Sequence, residues 1–387
     1  MEVAMAGKSK NLLFHLATLP DPRELRGQRH LLLDVLVIGV LATLCGVDDW
    51  EGIEDFALEE ETWLRTFLEL PNGIPSHDTF NRIFRMIDIA AFNACFLEWV
   101  KALRRKVSKD VVAIDGKTLR GSGDEEESPL HMVSAWSVAN RLVLGQRSVD
   151  AKSNEIKAIP KLLQVLELNG CIVTIDAMGC QKDIAKEIVS RKADYVLAVK
   201  ANQEGLHHAT QALFARLDAG EAMTHTISDS TETGHGRVAY RKVTTLDAVR
   251  VLPESLLFAW PKLETLVRIQ SRTQREGKLV EEERFYISTL PVQEAEAIGE
   301  AVKSHWGIEN QLHWVLDVAF NEDRNRTRKG SAPESGALLR HITLNLLRQD
   351  PEKRSMPKRR MKAALSREYR MAALMGFNTQ TESNLEA

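Results

Sequence analysis

The sequence predicts an α/β protein in which a mixed β-sheet is flanked by helices. Three observations predict this fold class. Apolar residues recur at helical spacing through residues 1–107, and short apolar runs alternate with helical segments after residue 110. Residues 204–290 instead alternate apolar and polar residues, as strands do. We therefore expect an all-helical N-terminal domain, a core of sheet and helices, and a β-rich insertion.

The composition is that of an ordinary globular protein. The 387 residues suggest two or three domains, and the formal net charge of −3 gives no hint of a nucleic-acid partner. The four cysteines show no metal-ligand spacing and are expected to be reduced. The N-terminus lacks the pattern of a signal peptide, and the most apolar run, residues 31–46, is shorter than a bilayer span and contains Asp34. We expect a cytoplasmic protein without a membrane partner.

A turn followed by a helix is predicted for residues 73–87. Pro75 and Ser76 supply a helix start, and Asp78 suits its first turn. The helix also presents Arg82 and Arg85, as the DNA-reading helix of a helix-turn-helix domain would. An ordinary bundle helix is the alternative.

The residues after 110 predict elements in the order β, β, β, α, β, α, β. Two apolar runs, 111–115 and 171–176, each end in an aspartate. A hairpin-like pair that turns at residues 139–141 lies between them, followed by a helix capped by Ser153 or Asn154. A helix at 181–190 and a strand at 194–200 come next. This alternation indicates a mixed sheet covered by helices.

The segment KSHWGIENQLHWVLD, residues 303–317, is predicted to lie on one helix of residues 293–320. His305, Glu309, His313 and Asp317 recur at steps of four and so form one polar stripe. Trp306 and Trp314 share the helical register, which indicates that both flanks of the stripe are packed. A carboxylate held between packed aromatic rings needs a partner.

The segment NEDRNRTRKG follows this helix, and a second helix precedes a C-terminal segment, residues 349–387, that is rich in lysine and arginine. Such a basic tail is usually solvated or disordered. Contact with phosphate is the alternative.

Three acids are candidates for catalysis. Asp115 and Asp176 end predicted strands, and catalytic groups of open α/β sheets collect at that edge. If the two strands are neighbours, the carboxylates converge and repel unless they are protonated or bridged by cations. Glu309 would complete a site for two Mg²⁺ or Mn²⁺ ions, which oxygen ligands favour. Such a site activates the attacking oxygen and stabilises the leaving oxygen of a phosphodiester.

Simpler interpretations of the same residues stay open. Aspartate often ends a strand because it suits turns. His305, Glu309 and His313 could instead bind zinc through their helical spacing, although the known zinc helix motif places its glutamate beside the first histidine.

Four sequence blocks occur in a characteristic order: AIDGKTLRGS, VTIDAMGCQKDIA, DYVLAVKANQ and HWGIENQLHWVLDVAFNEDRNR. Together they resemble DDE-type insertion-sequence transposases of the H-repeat-associated branch, and GIPSHDTFNRIF is similar to the N-terminal domain associated with that branch. The resemblance covers roughly residues 10–350. It implies a ribonuclease-H-like catalytic core in which Asp115, Asp176 and Glu309 are the catalytic, metal-binding acids.

The resemblance also implies what the protein does to DNA. Such enzymes cut DNA at the terminal inverted repeats of a mobile element, and the freed 3′-hydroxyl then attacks target DNA. Two element ends must be held together, which implies a homodimer or larger assembly on DNA. The domains expected are 1–107 for recognition of DNA ends, 108–203 with 291–348 for catalysis, 204–290 as the β-rich insertion, and 349–387 as the basic tail.

The sequence departs from the family around the glutamate. The tyrosine, arginine and lysine that many relatives place there are Val302, His305 and Leu316 here. We interpret His305 as a phosphate contact and Trp306 as a platform for a displaced base. Whether a hairpin intermediate forms on the DNA end stays open. The remaining candidate DNA contacts are Lys117, Arg120, Lys200, Arg324 and Arg326.

Two other functions compete with transposition. A metal-dependent nuclease of the same fold would need the same acids but would hydrolyse DNA without joining it. A non-catalytic DNA-binding remnant of a mobile element is the third interpretation. The helical N-terminal region and the basic tail favour a protein that recognises particular DNA ends, because hydrolysis alone needs no such reader.

Overall fold

The computed structural model describes residues 10–125, 128–149, 154–234, 237–275 and 278–377. Before the first strand, this part of the chain is helical. Its helices are α1 (Leu12–Leu16), α2 (Leu32–Leu44), α3 (Trp50–Glu59), α4 (Glu61–Leu64), α5 (His77–Met86) and α6 (Ile89–Leu103). Phe80, Ile83 and Phe84 of α5 are buried in a core that continues into the sheet. The turn and helix predicted for residues 73–87 are present.

Helix α2 is the most apolar run of the sequence, and all of its residues except Leu33 are buried. Its acid, Asp34, is buried as well, and its carboxylate accepts a hydrogen bond from the backbone N–H of Leu70 at 2.9 Å. That bond satisfies a group that would otherwise be costly to bury. Within the described ranges, no helix is long and apolar enough to cross a membrane.

The core sheet begins with five strands and two helices. They are β1 (Val111–Thr118), β2 (His131–Ser137), β3 (Leu142–Val149), α7 (Glu155–Leu163), β4 (Ile172–Ile175), α8 (Lys182–Ser190) and β5 (Asp194–Val199). Strands β1, β4 and β5 are parallel, β2 pairs antiparallel with β1, and β3 pairs antiparallel with β2. The predicted order of elements and the α/β class with a mixed sheet are confirmed. Asn154 directly precedes α7, and Ser153 lies outside the described residues.

Residues 204–290 extend this sheet. They begin with helix α9 (Glu204–Asp218) and continue with β6 (His225–Gly234), β7 (Arg237–Asp247), the short helices α10 (Ala248–Val251) and α11 (Glu254–Leu257), β8 (Thr265–Arg275) and β9 (Lys278–Ser288). Strand β9 pairs antiparallel with β5, so the described strands form one sheet in the order β3-β2-β1-β4-β5-β9-β8-β7-β6. The four added strands are therefore continuous with the core.

The single helix predicted for residues 293–320 is wrong in detail. The chain forms α12 (Ala295–Ile308), a π-helical turn (Glu309–His313) and α13 (Trp314–Phe320). The N–H of Trp314 donates to the carbonyl of Glu309, five residues earlier. A polar residue at every fourth position does not reveal one turn that is wider by a residue. Such turns are often found at functional sites.

The C-terminal segment was expected to be a solvated or disordered tail, which is wrong over most of its length. After α14 (Ala332–Arg348), the chain forms α15 (Met356–Leu365) and α16 (Arg367–Met375), which pack against the N-terminal helices. Arg360 pairs with Asp48 at 3.3 Å and Arg370 with Glu60 at 2.8 Å. Charge counting missed the buried apolar side chains of these helices, which include Ala363, Ala373 and Leu374.

Candidate active site

Asp115 lies in β1, and Asp176 directly follows β4, the neighbouring parallel strand. Ile114 of β1 pairs with Ile175 of β4, so each aspartate is the next residue along its strand. The condition set by the sequence, that the two strands be neighbours, is met. Contrary to expectation, Asp115 does not end its strand. Strand β1 continues to Thr118 through its pairing with β2.

Glu309 opens the π-helical turn and is exposed. It lines the same cavity as Asp176 and His305. Its charge, with that of Asp176, also acts on Asp115. The fold therefore brings the three predicted acids to one edge of the sheet.

The other members of the polar stripe face the sheet. His305 Nδ1 lies 3.0 Å from the hydroxyl of Thr174 on β4, and His313 Nδ1 lies 3.5 Å from a carboxylate oxygen of Asp115. Asp317 pairs with Lys117 on β1. The stripe is thus an inward-facing row of contacts rather than a solvated face.

Burial dominates the electrostatics of this row. It raises the pKa of Asp115 to about 7, and the negative charges of Asp176, Glu155 and Glu309 act in the same direction. Burial also lowers the pKa of His313 to about 4, helped by the positive charge of Lys117. The contact between Asp115 and His313 at neutral pH is therefore not a charge pair. Burial likewise lowers the pKa of His305, which disfavours the charged form as a phosphate ligand.

Lys117 was predicted to contact DNA, but its side chain is only 12% exposed and is surrounded by acids. Its ammonium contacts Asp317 and lies 2.9 Å from Glu322 Oε2 and 3.7 Å from Asp323. Arg120 is exposed and lies 3.5 Å from Asp323. The structure thus engages Lys117 in joining β1 to the segment after α13.

A cavity of about 520 Å³ lies beside Asp176, between α12 and strands β5 and β9. Lys200, Trp306 and Glu309 line it, and Lys200 is exposed. The guanidinium of Arg284 lies 5.3 Å from the ring centre of Trp306, a cation–π distance. The cavity is large enough for a nucleotide and combines polar and apolar walls.

The two tryptophans do not pack the flanks of the stripe, contrary to expectation. Trp306 is 43% exposed and Trp314 is 60% exposed. The buried side of this segment consists instead of Ile308, Leu312 and Leu316. An aromatic residue in helical register does not reveal which face of the helix is covered.

The predicted arginines do not all lie in one place. Arg85, Arg324 and Arg326 line one groove between α5 and the segment after α13, whereas Arg82, also exposed, does not line it. This groove is distinct from the cavity beside Asp176.

The carboxylates fit a divalent cation by their chemistry. Three carboxylate groups at one edge, one of them with a pKa raised in part by the charges of the others, are the donor set that Mg²⁺ or Mn²⁺ prefers. In the described part of the chain, however, no three His, Cys, Asp or Glu side chains are close enough together to hold one ion. An ion held by all three carboxylates would therefore require these side chains to come closer together.

Sequence reasoning missed a second polar chain behind Asp115. Glu155 Oε1 lies 2.6 Å from His131 Nε2, and His131 Nδ1 lies 2.8 Å from the hydroxyl of Thr118. A Cβ at Gly116 would come within 2.6 Å of both the Glu155 carboxyl carbon and His131 Nε2. The sequence shows the glycine after Asp115, but it does not show that the side chains of Glu155 and His131 occupy the space beside that glycine.

A sheet edge with converging carboxylates, next to a helical N-terminal region, is the arrangement that the resemblance to DDE transposases implies. The family described as Transposase DDE domain matches residues 106–346, and the family described as DDE_Tnp_1-associated matches residues 13–100. The chain belongs to the DDE transposase family, and the resemblance drawn from its motifs is confirmed.

Its similar relatives include two proteins of Escherichia coli. One, from strain O157:H7, is named "Putative transposase YncI"; it is 41% identical over 390 aligned residues, which cover 97% of this chain and 98% of the relative. The other, from strain K12, is named "H repeat-associated putative transposase YhhI"; it is 39% identical over 379 aligned residues, which cover 95% of this chain and 98% of the relative.

Proposed function

We propose that this protein is an active DNA transposase of an insertion sequence, with a ribonuclease-H-like catalytic core. It would cut DNA at the element's terminal repeats and join the freed 3′-hydroxyl ends to target DNA. The observation that supports this best is the placement of Asp115, Asp176 and Glu309 at one sheet edge by three separate elements. A cytoplasmic site of action, where the chromosome is accessible, follows from this activity.

The three acids have distinct positions in the proposed mechanism. Asp115 lies within β1 and Asp176 directly follows β4, and the pairing of these two neighbouring strands brings the aspartates side by side. Glu309 is on an exposed turn, so it can approach the aspartates when substrate and ions arrive. Two divalent ions bound by these carboxylates would supply Lewis-acid activation of the attacking oxygen and stabilisation of the leaving oxygen.

The surrounding residues orient the substrate. Lys200 is exposed at the end of β5 and lies where it can neutralise a phosphate. Trp306 and Arg284 line the neighbouring cavity and offer a stacking surface to a displaced base. His313 contacts Asp115 in its neutral form and so fixes that carboxylate without adding charge.

The test uses a supercoiled plasmid that carries two copies of the element's terminal repeat. The purified protein is incubated with Mg²⁺ or Mn²⁺, and both end-specific cutting and joining to new DNA are measured. Asp176→Asn and Glu309→Gln should lose both activities by a factor of about 10³ or more, since each removes a group that acts on the reacting atoms. Glu300→Gln is the matched control, because this glutamate is exposed on the same helical segment as Glu309.

The outcomes separate the candidate functions. End-specific cutting and joining that both variants abolish support a transposase. Cutting without joining or end preference would make the protein a nuclease. Binding to the repeats without cleavage under either metal would leave a DNA-binding remnant.

A further inference from the structure

A groove of about 1040 Å³ separates helix α5 from the segment that follows α13, away from the cavity beside Asp176. Its floor and walls come from both the helical N-terminal region and the catalytic core. Trp50 and Arg85 lie on the N-terminal side, and Arg324, Arg326 and Lys329 lie on the other. The groove therefore lies between the helical N-terminal region and the catalytic core.

The cations of this groove lack protein counter-charges. Among the residues that the structure describes, the side chains of Arg85, Arg324, Arg326 and Lys329 make no hydrogen bond or ion pair. A fifth cation, Arg328, differs because it lies 3.6 Å from Asp124. Four like charges in one concavity repel one another, and the repulsion is relieved when an anion enters.

Two acids that line the groove, Asp48 and Asp49, have hydrogen-bond partners other than these four cations. A carboxylate oxygen of Asp48 accepts from Asn321 at 2.8 Å, and the other lies 3.3 Å from Arg360. Asp49 accepts from the N–H of Gly52 at 2.7 Å and so caps helix α3. Both acids serve the architecture of the groove, which leaves its cations available.

The loop that bears these cations is held in place from both sides. Asn325 donates to the carbonyl of Asp48 at 2.9 Å, and the N–H of Ser331 donates to the carbonyl of Arg85 at 3.2 Å. On the other side, Glu322 pairs with Lys117, two residues beyond Asp115. The groove therefore has a fixed position relative to the strand that bears the first catalytic acid.

We propose that this groove binds the phosphodiester backbone of the DNA duplex that flanks the cutting site. The inference rests on the proposed function only for the identity of the polyanion as DNA. Arginine and lysine in an open groove contact phosphate rather than base edges, so the contacts position the duplex and are independent of sequence. A duplex bound here would contact both the N-terminal region and the core.

The test measures affinity for duplex DNA in EDTA, by fluorescence anisotropy over a series of salt concentrations. Each lost phosphate contact lowers the slope of log affinity against log salt by about 1, so Arg324→Ala/Arg326→Ala should lower it by about 2. The loss should be equal for a duplex with the terminal repeat and one without it. Thermal unfolding verifies that the double variant folds.

The control is Arg105→Ala/Lys106→Ala, which removes the same charge from exposed residues that precede the start of β1 and do not line the groove. It should leave the slope unchanged. An unchanged slope in Arg324→Ala/Arg326→Ala, or an equal loss in the control, would contradict the proposal that DNA binds in this groove. Because the assay contains no divalent metal, a protein that binds through the groove but never cuts would contradict the transposase proposal alone.

Discussion

Lys117 and Glu322 form an ion pair of 2.9 Å between residues that are 205 positions apart in the chain. The other oxygen of Glu322 accepts from Arg340 at 2.9 Å. This fully buried carboxylate thus ties β1 and α14 to the segment after α13. It fixes the strand of Asp115 against the loop that lines the basic groove.

Glu322→Gln should destabilise the protein by about 3 kcal/mol at pH 7, because it leaves the buried Arg340 without a counter-charge and removes one of the carboxylates around Lys117. The pKa of Glu322 is lowered to about 2 by these cations, which outweigh the effect of burial. The stabilisation is therefore present above pH 4.5 and is lost as the pH falls toward 2.

Urea unfolding of the wild type and Glu322→Gln across pH 7 to 3 checks this prediction. The difference in unfolding free energy should shrink as the pH falls. Glu296→Gln, an exposed glutamate of α12, should change stability by less than about 0.5 kcal/mol at any pH. A constant difference between wild type and Glu322→Gln would contradict the account.

Gly121→Ala should lower stability by about 1–3 kcal/mol, since a Cβ there would overlap the backbone carbonyl of Asn325. The overlap would push the groove-lining loop away from β1. Chemical denaturation measures the loss. Gly205→Ala is the control, because nothing lies within 4 Å of its added Cβ and helix α9 should gain up to about 1 kcal/mol.

Asp115→Asn should stabilise the metal-free protein at pH 8, by up to about 4 kcal/mol. Burial and three neighbouring carboxylates raise the pKa of Asp115 to about 7, so the folded state holds a proton that the unfolded state releases above pH 4. The wild type therefore loses stability as the pH rises from 4 to 7, and the variant does not. Unfolding in EDTA at pH 5 and pH 8 measures this, with the exposed Asp183→Asn as the control.

Trp306→Ala should weaken cutting of DNA ends by about 5- to 100-fold if a base stacks on this ring, and Trp306→Phe should restore most of the activity. Trp314→Ala removes an equally large and more exposed ring from the neighbouring helix and should have little effect. Gel assays of cutting at the repeat ends provide the comparison. Equal losses for the two alanine variants would argue for a structural effect instead.

The sequence was most informative where periodicity and chemistry coincide. Alternating apolar runs predicted the order of strands and helices, and the acids after residues 114 and 175 marked the sheet edge. The adjacency of β1 and β4 could be stated only as a condition, since strand order depends on long-range pairing.

Other features of the site depend on contacts between distant residues. The π-helical turn at Glu309 arises from one shifted hydrogen bond, which periodicity over a single turn does not resolve. Lys117 was predicted to contact DNA because its actual partners, Asp317 and Glu322, are about 200 positions away in the sequence. The C-terminal helices were hidden by their high charge, although Arg360 and Arg370 are buried in ion pairs.

We propose that Asp115, Asp176 and Glu309 form one divalent-cation centre. Calorimetric titration of Mn²⁺ into the protein bound to a pre-cut terminal-repeat duplex tests it most directly. We predict two Mn²⁺ ions per protomer, loss of binding in Asp115→Asn and Asp176→Asn, weaker binding in Glu309→Gln, and no change in Glu300→Gln. Unchanged Mn²⁺ binding in the two aspartate variants would contradict the account.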